Sequence, residues 1–353
     1  MTAVTQNSNL PQIVGDYTLQ GFLGSGTYGC VGLYSYSKGK VALKVESQNQ
    51  SSNNLLNEKL ILNQLNNLFL NAPQDIQRFP KLIDNRQCKL TDGKQCQCLI
   101  LTYYEKSLAS FYMELKSVQM LISISQDLIN AIKQIHSFGI IHRDIKIDNI
   151  FVHNNKVVLI DFGSATSYID KDTKQHIRDS SYKQMKGTPC TASIHSHNNK
   201  EVSRRDDLIS AIYCIMYLHK KRALLGLIFV KNLVYLVKYL QKIGFEENPD
   251  YEFIKDALES IDDQSKFIKI IQIKASGLVK KYQYKEDGQI ILLTSQHQTI
   301  KILVEVQTDF VQNCVQQLND NQEANNANDI PEIKKITDNL HYRMFDNKEQ
   351  ITP

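Results

Sequence analysis

The 353-residue sequence has no tryptophan and only seven prolines. So little proline excludes a collagen-like or polyproline chain, and fifteen glycines without a repeat exclude a glycine-rich fibre. Neither sign of charge dominates. Lys and Arg number 41 against 37 Asp and Glu, a formal excess of +4, too small to imply nucleic-acid binding by itself. No apolar run reaches the roughly 20 residues that cross a bilayer. The most apolar stretch, 223–237, carries Lys231 and Asn232 and reads as a buried helix. No basic start followed by an apolar segment marks a signal peptide. The seven cysteines are odd in number and irregularly spaced, which suits a reducing compartment. The resulting expectations are a cytoplasmic or nuclear location, no membrane or nucleic-acid partner, and a monomer. Cys88 with Cys96-x-Cys98 could gather a metal, but the spacing is not that of a finger and no paired His follows.

Hydrophobic residues make up 42% of the chain, enough for a packed core. The length suits about two lobes with appendages. Residues 1–12 are polar and small and read as disordered. Alternation at Tyr17, Leu19, Gly21 and Leu23, a glycine cluster, then Val31 and Leu33 predict strand, loop and strand. Residues 40–45 read as a third strand. Apolar spacing predicts helices over 55–70 and 113–135. Short strands are predicted at 98–102, 140–141, 150–152 and 157–160, and helices at 208–218, 228–243 and 251–260. Asp287-Gly288 between two apolar runs signals a hairpin. The Asn-rich stretch 319–329 reads as a linker.

Gly24-Ser25-Gly26-Thr27-Tyr28-Gly29 is a G-x-G-x-x-G string. In a dinucleotide site such a loop opens a helix. Here Cys30-Val31-Gly32-Leu33 follows, so the loop joins two strands and a dehydrogenase reading is disfavoured. Val41-Ala42-Leu43-Lys44 comes next on a strand, and Glu58 sits in the following helix. His142-Arg143-Asp144-Ile145-Lys146-Ile147-Asp148-Asn149 fits H-R-D-x-x-x-x-N, and Asp161-Phe162-Gly163 follows after a short apolar strand. Each residue alone could be a solvated charge or a plain turn. Together, in this order, they fit phosphoryl transfer, which needs positioning and charge neutralisation more than covalent chemistry. Asp144 would accept the substrate hydroxyl's proton and Lys146 would steady the transferring phosphoryl group. Asn149 and Asp161 would offer oxygen ligands to Mg²⁺. Lys44, held by Glu58, would meet the ATP phosphates, and Gly24, Ser25, Gly26 and Gly29 would let backbone approach them.

The chain therefore resembles eukaryotic protein kinases and, within them, is similar to the casein kinase I family. The second resemblance rests on Gly187-Thr188-Pro189-Cys190-Thr191-Ala192-Ser193-Ile194, on Ser203-Arg204-Arg205-Asp206-Asp207-Leu208, and on Phe245-Glu246-Glu247-Asn248-Pro249-Asp250-Tyr251. It implies an α+β, bilobal fold: a β-rich N-lobe over about 13–104, a mainly helical C-lobe over about 105–262, and an extension of unknown role over 263–353. It implies ATP and Mg²⁺ as cofactors and protein substrates, acidic ones given the basic residues around 171–186 and 204–205. Leu23, Val31 and Ala42 would wall the adenine, Leu101 would back the pocket, and Thr102 to Tyr104 would form the hinge. Asp207 would accept backbone hydrogen bonds from the catalytic loop, and Thr188 would help hold Asp144. Where the family carries an Arg that grips a substrate phosphate, this chain has Cys190. The stretch between Leu218 and Phe245 is also short for the family.

The activity so implied is Ser/Thr protein kinase. The alternative is a pseudokinase, a nucleotide-binding or scaffold module of the same fold.

Overall fold

Period-two burial organises the N-terminal half. In the computed structural model the described residues are 10–26, 29–46, 54–71, 76–114, 117–179, 185, 187–222, 227–275, 281–284, 290–293 and 299–300. Thr27, Tyr28, Lys183, Lys186 and the 319–329 linker lie outside them. β1 (Ile13–Val14), β2 (Tyr17–Gly26), β3 (Gly29–Tyr36) and β4 (Gly39–Glu46) run antiparallel in sequence order. After helix α1 (Asn54–Leu70), β5 (Leu82–Lys89) and β6 (Gln95–Thr102) complete a six-stranded sheet in the order β1-β2-β3-β4-β6-β5. Tyr34, Val41, Leu43, Val45 and Ile100 build the core on one face. Leu10, which composition assigns to a disordered leader, is wholly buried in that core, and Pro11's carbonyl accepts the Tyr34 hydroxyl at 2.6 Å. One apolar side chain gains roughly 1.5–3 kcal/mol on burial, which favours this placement of Leu10; residues 1–9 of the expected leader lie outside the described residues.

Helix α1 buries Leu55, Glu58, Ile61, Leu62 and Leu65, a single stripe at helical spacing. The strand β5 had no counterpart in the sequence reading, because its alternate residues Ile83, Asn85, Gln87 and Lys89 are exposed. The long helix expected over 113–135 is two. β7 (Lys106–Ser107) leads into α2 (Leu108–Glu114), and α3 (Val118–Ser137) begins afresh behind Ser117, whose hydroxyl accepts the Met120 N–H. A side chain that satisfies the first free amides starts a helix. β8 (Ile140–Ile141), β9 (Ile150–His153), β10 (Lys156–Leu159) and β11 (Thr166–Ser167) form two small antiparallel sheets, β10-β9-β7 and β11-β8. α4 (Ile194–His197) and α5 (Arg204–Arg222) follow. α5 starts four residues before its predicted edge, with Asp206 and Asp207 in its first turn, where carboxylates suit the positive end of the helix dipole.

The chain divides into two compact units, residues 1–215 with 240–249 and residues 216–239 with 250–353. α6 (Leu227–Lys242) follows α5 in the chain. In the second unit, Tyr235 meets Phe267 and Tyr239 meets Phe253 edge-on, and the Asn232 amide donates to the Ile261 carbonyl at 2.8 Å. α7 (Tyr251–Glu259) starts on an Asp250 cap. α8 (Gln264–Ala275) was not anticipated. The hairpin signal corresponds to β12 (Lys281–Tyr284) paired with β13 (Ile290–Leu293), to which β14 (Thr299–Ile300) adds. No helix among the described residues is long and apolar enough to cross a membrane.

Candidate active site

On β4, Val41, Leu43 and Val45 are buried in the core, so Ala42 and Lys44 fall on the opposite face. There the Lys44 ammonium lies 2.6 Å from Glu58 Oε2 on α1 and 2.7 Å from Asp161 Oδ1. The other Glu58 oxygen accepts the Phe162 N–H at 3.1 Å. A strand, a helix and a turn distant in sequence thus meet at one cation. Burial alone would push the Lys44 ammonium down, but the two carboxylates outweigh it and hold it above the usual lysine range. Burial would raise Asp161, yet Lys44 holds it below the usual carboxylate range. Asp161 itself takes a left-handed backbone, with φ of 63°.

The loop after β8 carries the second group. Asp144 Oδ1 accepts the Thr188 N–H at 2.9 Å and the Thr188 hydroxyl at 2.6 Å. Its Oδ2 lies 3.1 Å from the Lys146 ammonium and 3.2 Å from the Asn149 amide nitrogen. Burial opposes the Lys146 charge, but Asp144 raises its pKa overall. Asp207, at the start of α5, accepts the backbone N–H of His142 at 2.7 Å and of Arg143 at 2.8 Å, with His136 Nε2 at 2.9 Å. Burial disfavours the Asp207 charge, and the His136 contact with these amides holds its pKa down. His142 Nδ1 faces the Asp144 N–H at 3.3 Å, which assigns the ring proton to Nε2, donating to the Ile160 carbonyl at 3.0 Å. Gly187 has φ of 86°, and a Cβ there would come within 2.5 Å of the Arg143 carbonyl. Only glycine lets the segment bearing Thr188 approach so closely.

Leu23 is exposed, Val31 and Ala42 are half-buried, and Val31 lies directly opposite Lys44 in the β3–β4 register. These residues form an apolar surface beside the charged group. A Cβ on Gly24 would meet nothing, whereas one on Gly29 would strike the Val45 carbonyl, so Gly29 is required by β4 itself. Ser25 and Gly26 lie on the same hairpin, paired with Cys30 and Gly29. Leu101 is buried opposite Ala42. Thr102 exchanges two bonds with Lys81, its N–H donating to the Lys81 carbonyl and its hydroxyl accepting the Lys81 N–H.

One feature differs from the sequence reading. Arg204 and Arg205, counted there among substrate-facing cations, are buried. Arg204 donates to the Asn248 side chain and the Glu246 carbonyl, and Arg205 to the Ile243 carbonyl. Among the described residues no three His, Cys, Asp or Glu side chains are grouped to hold a metal. Two functional contacts were missed. Asn57, beside Glu58, donates through Nδ2 to the carbonyls of Gly163 and Ala165, each at 2.9 Å. His136 supports Asp207 from α3. Asn57 had no local signal, since its partners lie over a hundred residues away.

The family model for the protein kinase domain matches residues 17–208, more than half of the chain. A probable casein kinase I homolog of Encephalitozoon cuniculi is 27% identical over 325 residues, covering 82% of this chain and 95% of that protein. A solved structure of vaccinia related kinase 3 superposes with a TM-score of 0.57 at 19% identity, covering 73% of this chain and 92% of that one. The six-stranded sheet and the helical part that follows it are accordingly those of a kinase fold, and the chain belongs to the protein kinase domain family.

Proposed function

We propose that the protein is an active Ser/Thr protein kinase, similar to casein kinase I, that transfers the γ-phosphoryl group of ATP to acidic protein substrates. The observation that carries this reading is the joint presence of Lys44, Glu58 and Asp161 in one contact network and of Asp144, Lys146, Asn149 and Thr188 in another. A protein that only bound partners would not need both.

The residues fit Mg²⁺. Asn149 spends its amide nitrogen on Asp144, so its oxygen is the end Asp144 does not engage, and Asp161 adds a carboxylate. Two oxygen-bearing side chains suit a hard cation that completes its shell from phosphates and water. Bound there by Asn149 and Asp161, the metal would neutralise phosphate charge. Lys44 binds and orients the α- and β-phosphates. Leu23, Val31, Ala42 and Leu101 exclude water around the adenine. Asp144 Oδ2 takes the proton of the attacking hydroxyl, while the two Thr188 bonds to Oδ1 fix the carboxylate's orientation. Lys146 balances negative charge as the phosphoryl group passes. Exposed Lys171, Lys174 and Arg178 offer an electrostatic surface for acidic substrates.

The rival pseudokinase reading draws on the stretch between Leu218 and Phe245, which is short for the casein kinase I family and bears on substrate docking. Transfer of radiolabel from ATP to casein, with Asp161→Ala as control, decides between them. Activity in the unmodified protein that the variant lacks supports the enzyme. Equal counts in both, at background, would leave a binding module. A melting shift with ATP and Mg²⁺ that persists unchanged in Asp161→Ala contradicts the metal assignment.

A further inference from the structure

The three cysteines that suggest a metal in the sequence converge in the sheet as something else. Cys88 lies directly opposite Cys96 in the antiparallel β5–β6 register. Cys88, Cys96 and Cys98 share one sheet face and pack on the core that includes Tyr34 and Val45. The Cys88 and Cys96 sulfurs are 3.2 Å apart, whereas Cys98 Sγ donates to the Arg86 carbonyl at 3.4 Å. Cys98 is wholly buried and Cys88 nearly so, while Cys96 is partly exposed and is the thiol a small reagent reaches first.

We propose that Cys88 and Cys96 close into a cross-strand disulfide when the protein meets a peroxide. Opposed residues of an antiparallel pair have Cα atoms about 4.5–5.5 Å apart, within the roughly 4.4–6.8 Å that disulfides span. Side-chain rotation is then enough to bond sulfurs that already touch. In the first step the Cys96 thiolate attacks one peroxide oxygen. The O–O bond breaks, the sulfur is oxidised to a sulfenic acid, and the other oxygen leaves as hydroxide and takes up a proton to become water. In the second step the Cys88 sulfur attacks the sulfenic sulfur. The S–S bond forms, the S–O bond breaks, and the hydroxyl leaves with the Cys88 proton as a second water. Two thiols and one peroxide thus give one disulfide and two waters. Contact with Cys96 pulls Cys88 down, but its contact with Cys98 and burial dominate and push it up to about 12. Contact with Cys88 and burial push Cys96 up as well. The Cys96 thiolate is therefore scarce at neutral pH, whereas contact with Cys88 holds the buried Cys98 thiol below its ordinary value, and closure through Cys96 quickens as pH rises. The bond would pin β6, whose Leu99 lies opposite Lys44 and whose Leu101 lies opposite Ala42. The proposal stands independently of the kinase reading.

The test is peptide mapping of the full chain after hydrogen peroxide treatment at pH 7 and pH 9, with free thiols blocked and no reductant. Trypsin should release residues 87–89 joined to residues 95–106, about 2 Da lighter than the two thiol peptides together. Fragment ions should place the bond at Cys96, not Cys98. More linkage should form at pH 9, and dithiothreitol should reverse it. The oxidised protein should melt at least about 2 °C above the reduced one. Cys98→Ser should keep the link and Cys96→Ser should lose it. Should a variant fail to fold, the fragment spectrum of the unmodified protein decides. A bond placed at Cys98, a link between two copies, or no linked peptide at either pH overturns the proposal.

Discussion

Asp144 is held by five contacts from Thr188, Lys146 and Asn149, four to its carboxylate and one to its carbonyl. Replacing it with Asn keeps the shape but removes the proton acceptor and sets an amide against Thr188. Turnover should fall by at least the roughly 10²–10⁴-fold typical of general acid–base groups, with ATP affinity little changed. Near-full turnover in Asp144→Asn, measured with a peptide substrate, would mean another residue is the base. Cys190 permits a second test at this scale. Burial raises its thiol pKa, so it is neutral and offers no fork to a phosphate. With Arg204 and Arg205 turned inward, an unmodified protein should prefer pre-phosphorylated peptides only weakly. Cys190→Arg should raise that preference by about 1.5–3 kcal/mol, the range for hydrogen bonds to charged groups. Comparing kcat/KM on matched phosphoserine and serine peptides checks this. A strong preference already present and unmoved by the change would assign the grip elsewhere.

At the scale of elements, α1 is joined to the 161–165 turn by two adjacent residues. Glu58 accepts from Phe162, and Asn57 donates to Gly163 and Ala165. Asn57→Leu fills similar space without donors and strands two carbonyls. Losing that clamp should cost about 1–2 kcal/mol of the assembled arrangement, a factor of roughly 5–30. It should appear in kcat more than in the KM for ATP. A folded Asn57→Leu protein with unaltered kcat would show that Glu58 suffices. The same elements show what can be read without coordinates. β4 was legible because its burial follows a clean period of two, and α1 from its apolar spacing, although Leu56, Leu60 and Leu68 in that spacing are exposed and Glu58 is buried instead. β5 was not, because half its residues are solvated, and the Asp84-Asn85-Arg86-Gln87 run hides its alternation. The break before α3 was missed because Met113 and Leu115 continue the apolar spacing across it, while Ser117 ends it by hydrogen bonding. The motif residues of the site could be listed from the chain alone. Asn57 and His136 could not, since each acts only through a distant partner.

For the whole molecule, acidity is the informative variable. His136 is buried, and burial holds its pKa below 6.5 despite Asp207 beside it. The unfolded chain therefore binds a proton that the native state refuses, so stability rises with pH and is fully present above about 6.5. It should decline as pH falls from 7 to 5. Asp161 and Asp207 carry native pKa values below 3.8, and their contribution is lost only as pH falls further, through those lowered values. Urea midpoints should thus drop in two stages. His136→Gln should flatten the upper stage and, since the His136 contact also holds Asp207 down, leave the lower one carried chiefly by Asp161. A midpoint constant between pH 7 and 5 in the unmodified protein would exclude His136 as the source.

The carboxylate of Asp207 has one more consequence. It fixes the His142 and Arg143 amides, which belong to a loop outside any helix or strand. Loop amides ordinarily trade their hydrogens with solvent quickly, because small openings suffice to expose them. These two can do so only if the start of α5 withdraws or the core around His136 opens. In heavy water without nucleotide, they should keep their protium about as long as the amides in the middle of α3. Rapid deuteration of either would mean that the loop is ordered only once its substrates arrive.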